Sequence, residues 1–297
     1  MAPVDFIVHG PPGSAPPVLA EAFLAGLAES AADSRDFRLL SRGDDPGVDA
    51  MELLIRRPGD PDVLSTCTPV FLQAPLLRGM SLTHRQLTPL ARLVTDRFFL
   101  VARADAPWAG AAEFVRDLPR RTTRTGGYFK GGINHLLGLA IADGTGADVE
   151  FIVTPSEPAV WTALIEGRID WGCGVAAEIL PHVEAGTLRV IAALDEHRLS
   201  PFPDVPTLAE IGVPVTFKLW RGLMGPPGLS IPQQEHWHRV ARDVTRTEAW
   251  RAYLARNGQS DGFLPGTAFA EFLQTEWDWY AKHLGLAGLL PKTPHFA

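Results

Sequence analysis

Residues 124–139 read RTGGYFKGGINHLLGL. Gly126, Gly127, Gly131 and Gly132 fall within seven residues, with Lys130 among them, just ahead of a helical apolar pattern. Glycine lets a backbone approach a ligand closely. A helix start offers unpaired N–H groups and the positive end of the helix dipole. The chemistry on offer is anion capture: a phosphate, a carboxylate, or nothing more than a turn. A phosphate-cradling P-loop needs Ser or Thr directly after Gly-Lys, and here Gly131 follows Lys130; no G-x-G-x-x-G reads in register either. A carboxylate on the helix start remains a good fit. His135, at that start, reads as a packing or hydrogen-bonding residue. Two further stretches have similar character, Pro11-Pro12-Gly13-Ser14-Ala15 and Thr154-Pro155-Ser156-Glu157-Pro158. Ser14 and Ser156 are hydroxyl donors there, and Glu157 reads more simply as a cap on a helix dipole. For each stretch the alternative is a tight strand-to-helix turn without a ligand.

Catalytic signatures do not accompany these loops. There is no H-E-x-x-H, no G-x-S-x-G and no clustered metal ligands. Cys67 and Cys173, the only two cysteines, are too few for a disulfide framework and match no metal spacing. They read as part-buried thiols. No cofactor is expected. The net charge of −7 argues against nucleic acid, whose binders need a basic face. Any anion must be held by local geometry. No apolar run reaches the ~20 residues of a membrane span. The start, MAPVDFIVHG, lacks the basic region, apolar run and cleavage site of a signal peptide. The expectation is either a cytoplasmic protein or one whose signal has been trimmed.

The loops need elements to hold them. With 297 residues the chain is long for one domain and comfortable for two. VDFIV (4–8) reads as a buried strand, and Leu19, Phe23 and Leu27 recur at helical spacing from about Pro16 or Pro17. Strands are expected at 37–42, 62–66 and 92–103, with a helix at 48–57. A second unit alternates helix 134–142, strand 149–154, helix 158–167, strand 168–174, helix 177–186 and strand 188–194. Such alternation predicts a parallel, helix-covered sheet. The last part is helical: Ser230 with Gln233 forms a capping box, and Trp237, Val240, Ala241 and Val244 make one stripe. Asn257-Gly258 stops the next helix, and Thr267 is expected to cap a final one whose face holds Phe269, Phe272, Leu273, Trp277, Tyr280 and Leu284. Two α/β lobes facing each other would leave a cleft, a favoured place for a ligand.

The order of these pieces resembles the substrate-binding proteins of tripartite tricarboxylate transporters, the Bug receptors. The stretches that carry the resemblance are FIVHGPPGSAP, LTPLARLVTDRFFLVARADAPW (87–108), GGINH (131–135), ALIEGRIDWGCG (163–174), HVEAGTLRVIA (182–192), PDVPTLAEIGV (203–213) and WRGLMGPPGLS (220–230). The resemblance implies a two-lobed flytrap of the periplasmic-binding-protein type, with a small organic acid held between α/β lobes. Lobe one would take residues 1–103 and 222–297, and lobe two 104–221, with hinges near Ala104 and Arg221. Carried onto this chain, the binding residues implied are Gly13, Ser14 and Ala15; Thr66 and Thr68; Gly127, Tyr128, Gly131 and Gly132; Ser156; and Gly174 with Val175. The sequence departs from the family's pattern at Ser14-Ala15, where consecutive glycines are usual, and at Tyr128, Phe129, Lys130 and Gly174. A bulkier, more aromatic pocket follows, in which Tyr128 and Phe129 would stack on a larger acid and Lys130 would pair a second acid group.

Three functional readings follow. The first is a monomeric periplasmic receptor that passes a carboxylate to the membrane subunits of a tripartite transporter. The second is a cytoplasmic sensor or carrier of the same fold. The third is an enzyme using the cleft, for which His135, Glu157, Lys130 and Cys173 are the titratable candidates.

Overall fold

The computed structural model describes residues 3–10, 15–42 and 47–292, the Glu157 side chain excepted. The fold is mixed α/β, in two compact units. The first covers the described residues of Met1–Thr95, Trp220–Lys282 and Leu290–Ala297, and the second those of Asp96–Leu219 and His283–Leu289.

The first unit begins with β1 (Val4–His9), α1 (Ala15–Ser30), β2 (Phe37–Arg42), α2 (Val48–Ile55), β3 (Val63–Cys67) and α3 (Val70–Arg78). Every residue of β1 is buried. That is why Val4, Phe6, Ile7 and Val8 are all apolar rather than alternating, while the buried Asp5 is paired by Arg38 and Arg57: a central parallel strand is covered on both faces. It pairs in parallel with β2, Val4 opposite Phe37, and with β3, Asp5 opposite Val63. Val4, Phe6 and Val8 join Leu19, Phe23 and Leu27 of α1 in one core.

The chain then enters β4 (Thr88–Arg103) and passes to the second unit inside that strand, between Thr95 and Asp96. There follow α4 (Ala111–Asp117), β5 (Thr123–Gly127), α5 (Ile133–Thr145), β6 (Val149–Val153), α6 (Glu157–Ile165), β7 (Trp171–Val175), α7 (Ala176–Glu184) and β8 (Leu188–Ala193). β5 and β6 are parallel, Thr123 opposite Val149. β7 and β8 both run antiparallel to β4, with Phe99 opposite Gly174 on one side and Ala193 on the other. Phe99, Val101, Val160, Trp161, Leu164, Ile169 and Ile179 form this unit's core.

The return is through β9 (Lys218–Gly225), between Leu219 and Trp220, followed by α8 (Ile231–Val244), α9 (Glu248–Asn257), β10 (Ser260–Pro265) and α10 (Gly266–Leu286). β9 is antiparallel to β3, Thr66 opposite Leu223, and β10 is antiparallel to β4, Ser260 opposite Thr95. The Ser230 N–H donates to the Gln233 side-chain carbonyl at 2.7 Å, and Trp237, Val240, Ala241 and Val244 are all buried.

Four expectations change. The sheet is mixed rather than parallel, because β7–β10 each return beside an existing strand in the opposite sense. The residues TRTGG form strand β5 instead of a loop, since Thr123 and Thr125 are buried along it. The strand expected from Arg168 starts at Trp171. Gly167, at φ +74°, and the Arg168 N–H bond to the Ala163 carbonyl (2.8 Å) spend 167–168 on closing α6. Thr267 lies inside α10, whose first residue is Gly266. A Cβ there would fall 2.2 Å from the His238 Nε2 and 2.6 Å from the Pro89 carbonyl, so only glycine opens this helix.

Candidate functional site

In the first unit, β1 and β3 are parallel neighbours and end on the same edge. Ligands of open α/β sheets bind outside such carboxyl ends. The last residue of β1 is His9. Its Nδ1 lies 3.0 Å from the Thr66 hydroxyl and its Nε2 lies 3.0 Å from the Thr68 hydroxyl. Thr66 lies in β3 and Thr68 directly after the strand's end, and the imidazole lies across both hydroxyls. Phe71 packs against the ring, 5.3 Å between centroids. Burial lowers the pKa of His9 from 6.5 to about 4, so it is neutral at physiological pH. A neutral imidazole has one N–H and one lone pair. It therefore accepts a hydrogen bond from one threonine hydroxyl and donates one to the other. The second threonine keeps its own O–H as a donor. Thr66 is fully buried, whereas Thr68 is only partly so. Ala15, exposed, is the first residue of α1. Gly13 and Ser14 lie outside the described residues.

In the second unit, the glycines of the run at 126–132 each have a separate task. A Cβ on Gly126 would lie 3.1 Å from the Ile152 carbonyl, and one on Gly127 would lie 2.8 Å from the Asn134 Cβ. Those two let α5 and β6 close onto β5. Gly131 has φ +88°, a left-handed turn, and its N–H donates to the His135 Nδ1 at 2.9 Å. Gly132 caps α5 in extended conformation under the Phe129 ring, and its N–H donates to the Phe129 carbonyl at 3.2 Å. The N–H groups of Gly131 and Gly132 are thus spent inside the turn. The helical ladder starts with the Leu136 N–H to Gly132 carbonyl bond. The N–H groups of Ile133 and His135 lie ahead of that ladder, at the positive end of the helix.

His135 accepts at Nδ1, which puts its proton on Nε2. Burial, then the charge of Lys130, lowers its pKa, and its ring lies tilted against Phe151, 4.4 Å between centroids. It holds the turn closed rather than serving as a base. Tyr128, Phe129 and Lys130 project from this turn, all exposed, Tyr128 and Phe129 each by about half (51% and 49%).

Ser156 caps α6 in extended conformation with its side chain exposed, and the Thr154 hydroxyl donates to its carbonyl at 3.1 Å. Gly174 is glycine for packing: a Cβ would stand 2.4 Å from two ring carbons of Trp161. Val175 follows as the N-cap of α7. Both cysteines are buried, and burial pushes their thiols up, so neither supplies a thiolate. Among the described residues no group of three or more His, Cys, Asp or Glu side chains is placed to hold a metal ion.

These strand-end donors, on two α/β units, agree with the comparison that decides the family. The profile of the tripartite tricarboxylate transporter family receptor, TctC, matches residues 50–277. The chain belongs to that family. Among curated relatives, BugT of Bordetella pertussis is 30% identical over 141 residues, 44% of this chain and 43% of BugT. The aligned stretch spans less than two thirds of the first relatives' own length, 38% and 65% in two other Bordetella proteins. Among solved structures, a TctC solute-binding protein from Polaromonas, without ligand, superposes with a TM-score of 0.89 at 23% identity, covering 96% of this chain and 98% of that one. A Rhodopseudomonas palustris protein solved with adipate superposes with a TM-score of 0.73 at 20% identity, covering 97% and 98%. At these identities the superpositions establish the fold.

Sequence reasoning did not find His9 as a member of this TctC-family site. A signal was available. A histidine closing a buried strand, one residue before Gly10, has no reason to be buried unless both ring nitrogens find partners.

Proposed function

We propose that this TctC-family protein is a receptor that captures a small organic carboxylate and delivers it to the membrane subunits of a tripartite transporter. The single observation that carries the reading is the neutral His9 held between Thr66 and Thr68 at the carboxyl ends of β1 and β3. It leaves a hydroxyl donor at the strand ends, bonded to an uncharged ring. A hydroxyl donating to a carboxylate is a charge-assisted bond, stronger than a neutral one. The first turn of α5 is a second carboxylate anchor, in the other unit. Ser156 adds a hydroxyl at the start of α6. Lys130 supplies the cation for a further acid group, and Tyr128 and Phe129 supply faces for an extended or aromatic acid. The bound adipate of the R. palustris relative supports a dicarboxylate. The receptor reading places the protein in the periplasm, as a monomer without catalytic turnover.

The test is calorimetric titration with mono-, di-, tri- and aromatic carboxylates, with light scattering for the monomer. One acid class binds with a single site, and recovered ligand is unchanged in mass. Thr68→Val removes the less buried of the two hydroxyls bonded to His9 and weakens binding by about tenfold or more, the size of one hydrogen bond to a charged group. Lys130→Ala weakens diacids selectively. Binding of no acid, or equal binding by Thr68→Val, sinks the proposal.

A further inference from the structure

The second unit carries a pocket at the other end of β5. It is lined by Arg103, Ala106, Pro107, Trp108, Arg121, Arg124, Gly167, Ile169 and Asp170 and has a volume of about 250 Å³. Arg124 lies near the start of β5 and Tyr128 directly after its end. Four residue steps of extended chain separate them, roughly 13 Å at ~3.3 Å per residue. The pocket is therefore distinct from the loops that follow β5 and β6, and it stands independently of the carboxylate reading.

Three guanidinium groups reach it from three segments: the end of β4, the chain before β5, and β5 itself. One carboxylate lines it. Asp170 is already engaged, accepting from the Arg124 N–H at 2.8 Å and from the Arg124 Nε at 3.3 Å. Arg121 approaches Asp170 only to 3.8 Å, outside hydrogen-bond distance, and lies over the Trp108 ring at 5.4 Å. Arg103 pairs with Asp105, which is 75% exposed and outside the lining. Behind the wall, Arg189 donates to the Trp108 and Ala104 carbonyls at 3.0 and 2.6 Å, adding a fourth cation held by neutral partners. Gly167 makes room for this arrangement: a Cβ there would meet the Arg103 Nη1 at 2.7 Å. On a chain of net charge −7, such an excess of arginine around one concavity is a local feature, not a reflection of composition.

We propose that this pocket binds a phosphate-type dianion, either inorganic phosphate or a small phosphate monoester. Guanidinium is the donor of choice for phosphate oxygens, and its fork is always charged. Donors arriving from three segments suit a tetrahedral oxyanion with acceptors on every side. A planar carboxylate uses one fork and leaves the others unmatched. The volume is below the ~300–1,000 Å³ of drug-sized ligand sites, which favours a small ion over a nucleotide.

Calorimetric titration of the full chain with inorganic phosphate, at low and physiological ionic strength, tests this, with succinate titrated in parallel. Saturable one-site binding is expected, weaker at higher salt. Arg121→Glu and Arg103→Ala should each lower phosphate affinity about tenfold or more, with folding checked by circular dichroism. Arg103→Ala alone decides the matter should Arg121→Glu not fold. Thr68→Val should leave phosphate affinity within about twofold, since it lies in the other unit. A phosphomonoester that competes with inorganic phosphate supports the pocket and shows that the ester is accepted. The proposal is overturned if the wild type takes up no phosphate, if the arginine variants bind it as well as wild type, or if Thr68→Val is the variant that loses it. Succinate binding as tightly as phosphate, with the same sensitivity to Arg121→Glu, overturns the choice of phosphate.

Discussion

Replacing His9 by Gln tests the strand-end site through its proton balance. In the folded chain burial holds the His9 pKa at about 4, against 6.5 for an ordinary histidine. The unfolded chain therefore takes up the proton first as pH falls. Stability from His9 is fully present above about pH 6.5 and is lost as pH falls through the window down to about 4. The gap is about 2.5 units, and at ~1.4 kcal/mol per unit it amounts to roughly 3 kcal/mol. At neutral pH His9→Gln also strands part of the Thr66–Thr68 pairing, at a cost of about 1–3 kcal/mol. Wild type should thus be the more stable protein at neutral pH, and its advantage should shrink by about 2–3 kcal/mol by about pH 4.5. His84, lowered to about 4 by burial and then by Arg85, adds the same acid sensitivity to both proteins and cancels in the difference. Urea denaturation followed by tryptophan fluorescence, at several pH values across the window, measures the two curves. A difference between wild type and His9→Gln that stays constant from neutral pH to about 4.5 would refute the buried neutral imidazole, and with it the single spare hydroxyl.

Three further outcomes follow from packing and backbone geometry. Gly174→Ala drives a methyl group onto the Trp161 ring and should destabilise by about 1–3 kcal/mol, read as a lower urea midpoint. Gly131→Ala forces a side chain into a left-handed conformation at about 1–2 kcal/mol and loosens the bond to His135. It should weaken carboxylate binding more than a surface substitution of equal stability cost. Thr247→Ala removes the hydroxyl that accepts from the Trp250 N–H at 3.2 Å and should cost about 1 kcal/mol. The Glu29 carboxylate, which takes the Glu248 and Ala249 N–H groups, keeps that helix start from fraying completely.

What was legible in the sequence was local and periodic. The apolar run of β1, the 3.6-residue stripes of α1 and α8, the capping box at Ser230 and the stop at Gly258 all appear as read. What was not legible depended on partners distant in the chain. The antiparallel returns of β7, β8, β9 and β10 beside β3 and β4 leave no mark in alternating helix and strand patterns. α3 carries Pro75 in its interior, which argues against a helix by propensity, yet it forms because Phe71, Leu72 and Leu76 are buried. In the site, the glycine run announced itself by composition, but composition does not separate a glycine that meets a ligand from one that meets Phe129 or Ile152. His9 was hidden for the opposite reason. A lone histidine carries no motif, and its meaning comes from Thr66 and Thr68, more than fifty residues away.

The candidate donor sets of the two units share a design that bears on the proposed transport role. Neither buries a formal charge against its donors. In the first unit the donor is a hydroxyl whose orientation a neutral histidine fixes; in the second it is a helix start whose turn a neutral histidine closes. Lys130, the cation nearest the second set in sequence, is exposed. A buried ammonium or guanidinium would have to be desolvated in the ligand-free protein, and would be left unpaired each time the ligand departed. Fixed dipoles avoid that penalty in both states. In the proposed receptor they would hold an anion firmly enough to capture it and leave no uncompensated charge on release. A receptor that must load and unload on every cycle needs that reversibility more than it needs maximal affinity. The arginine-lined pocket at the far end of β5 is built the other way, from permanent charges at a half-exposed surface, where water can replace the ligand at little cost. The two sites should therefore respond differently to salt: phosphate affinity at the arginine pocket should fall steeply with ionic strength, and carboxylate affinity at the strand ends should fall only slightly.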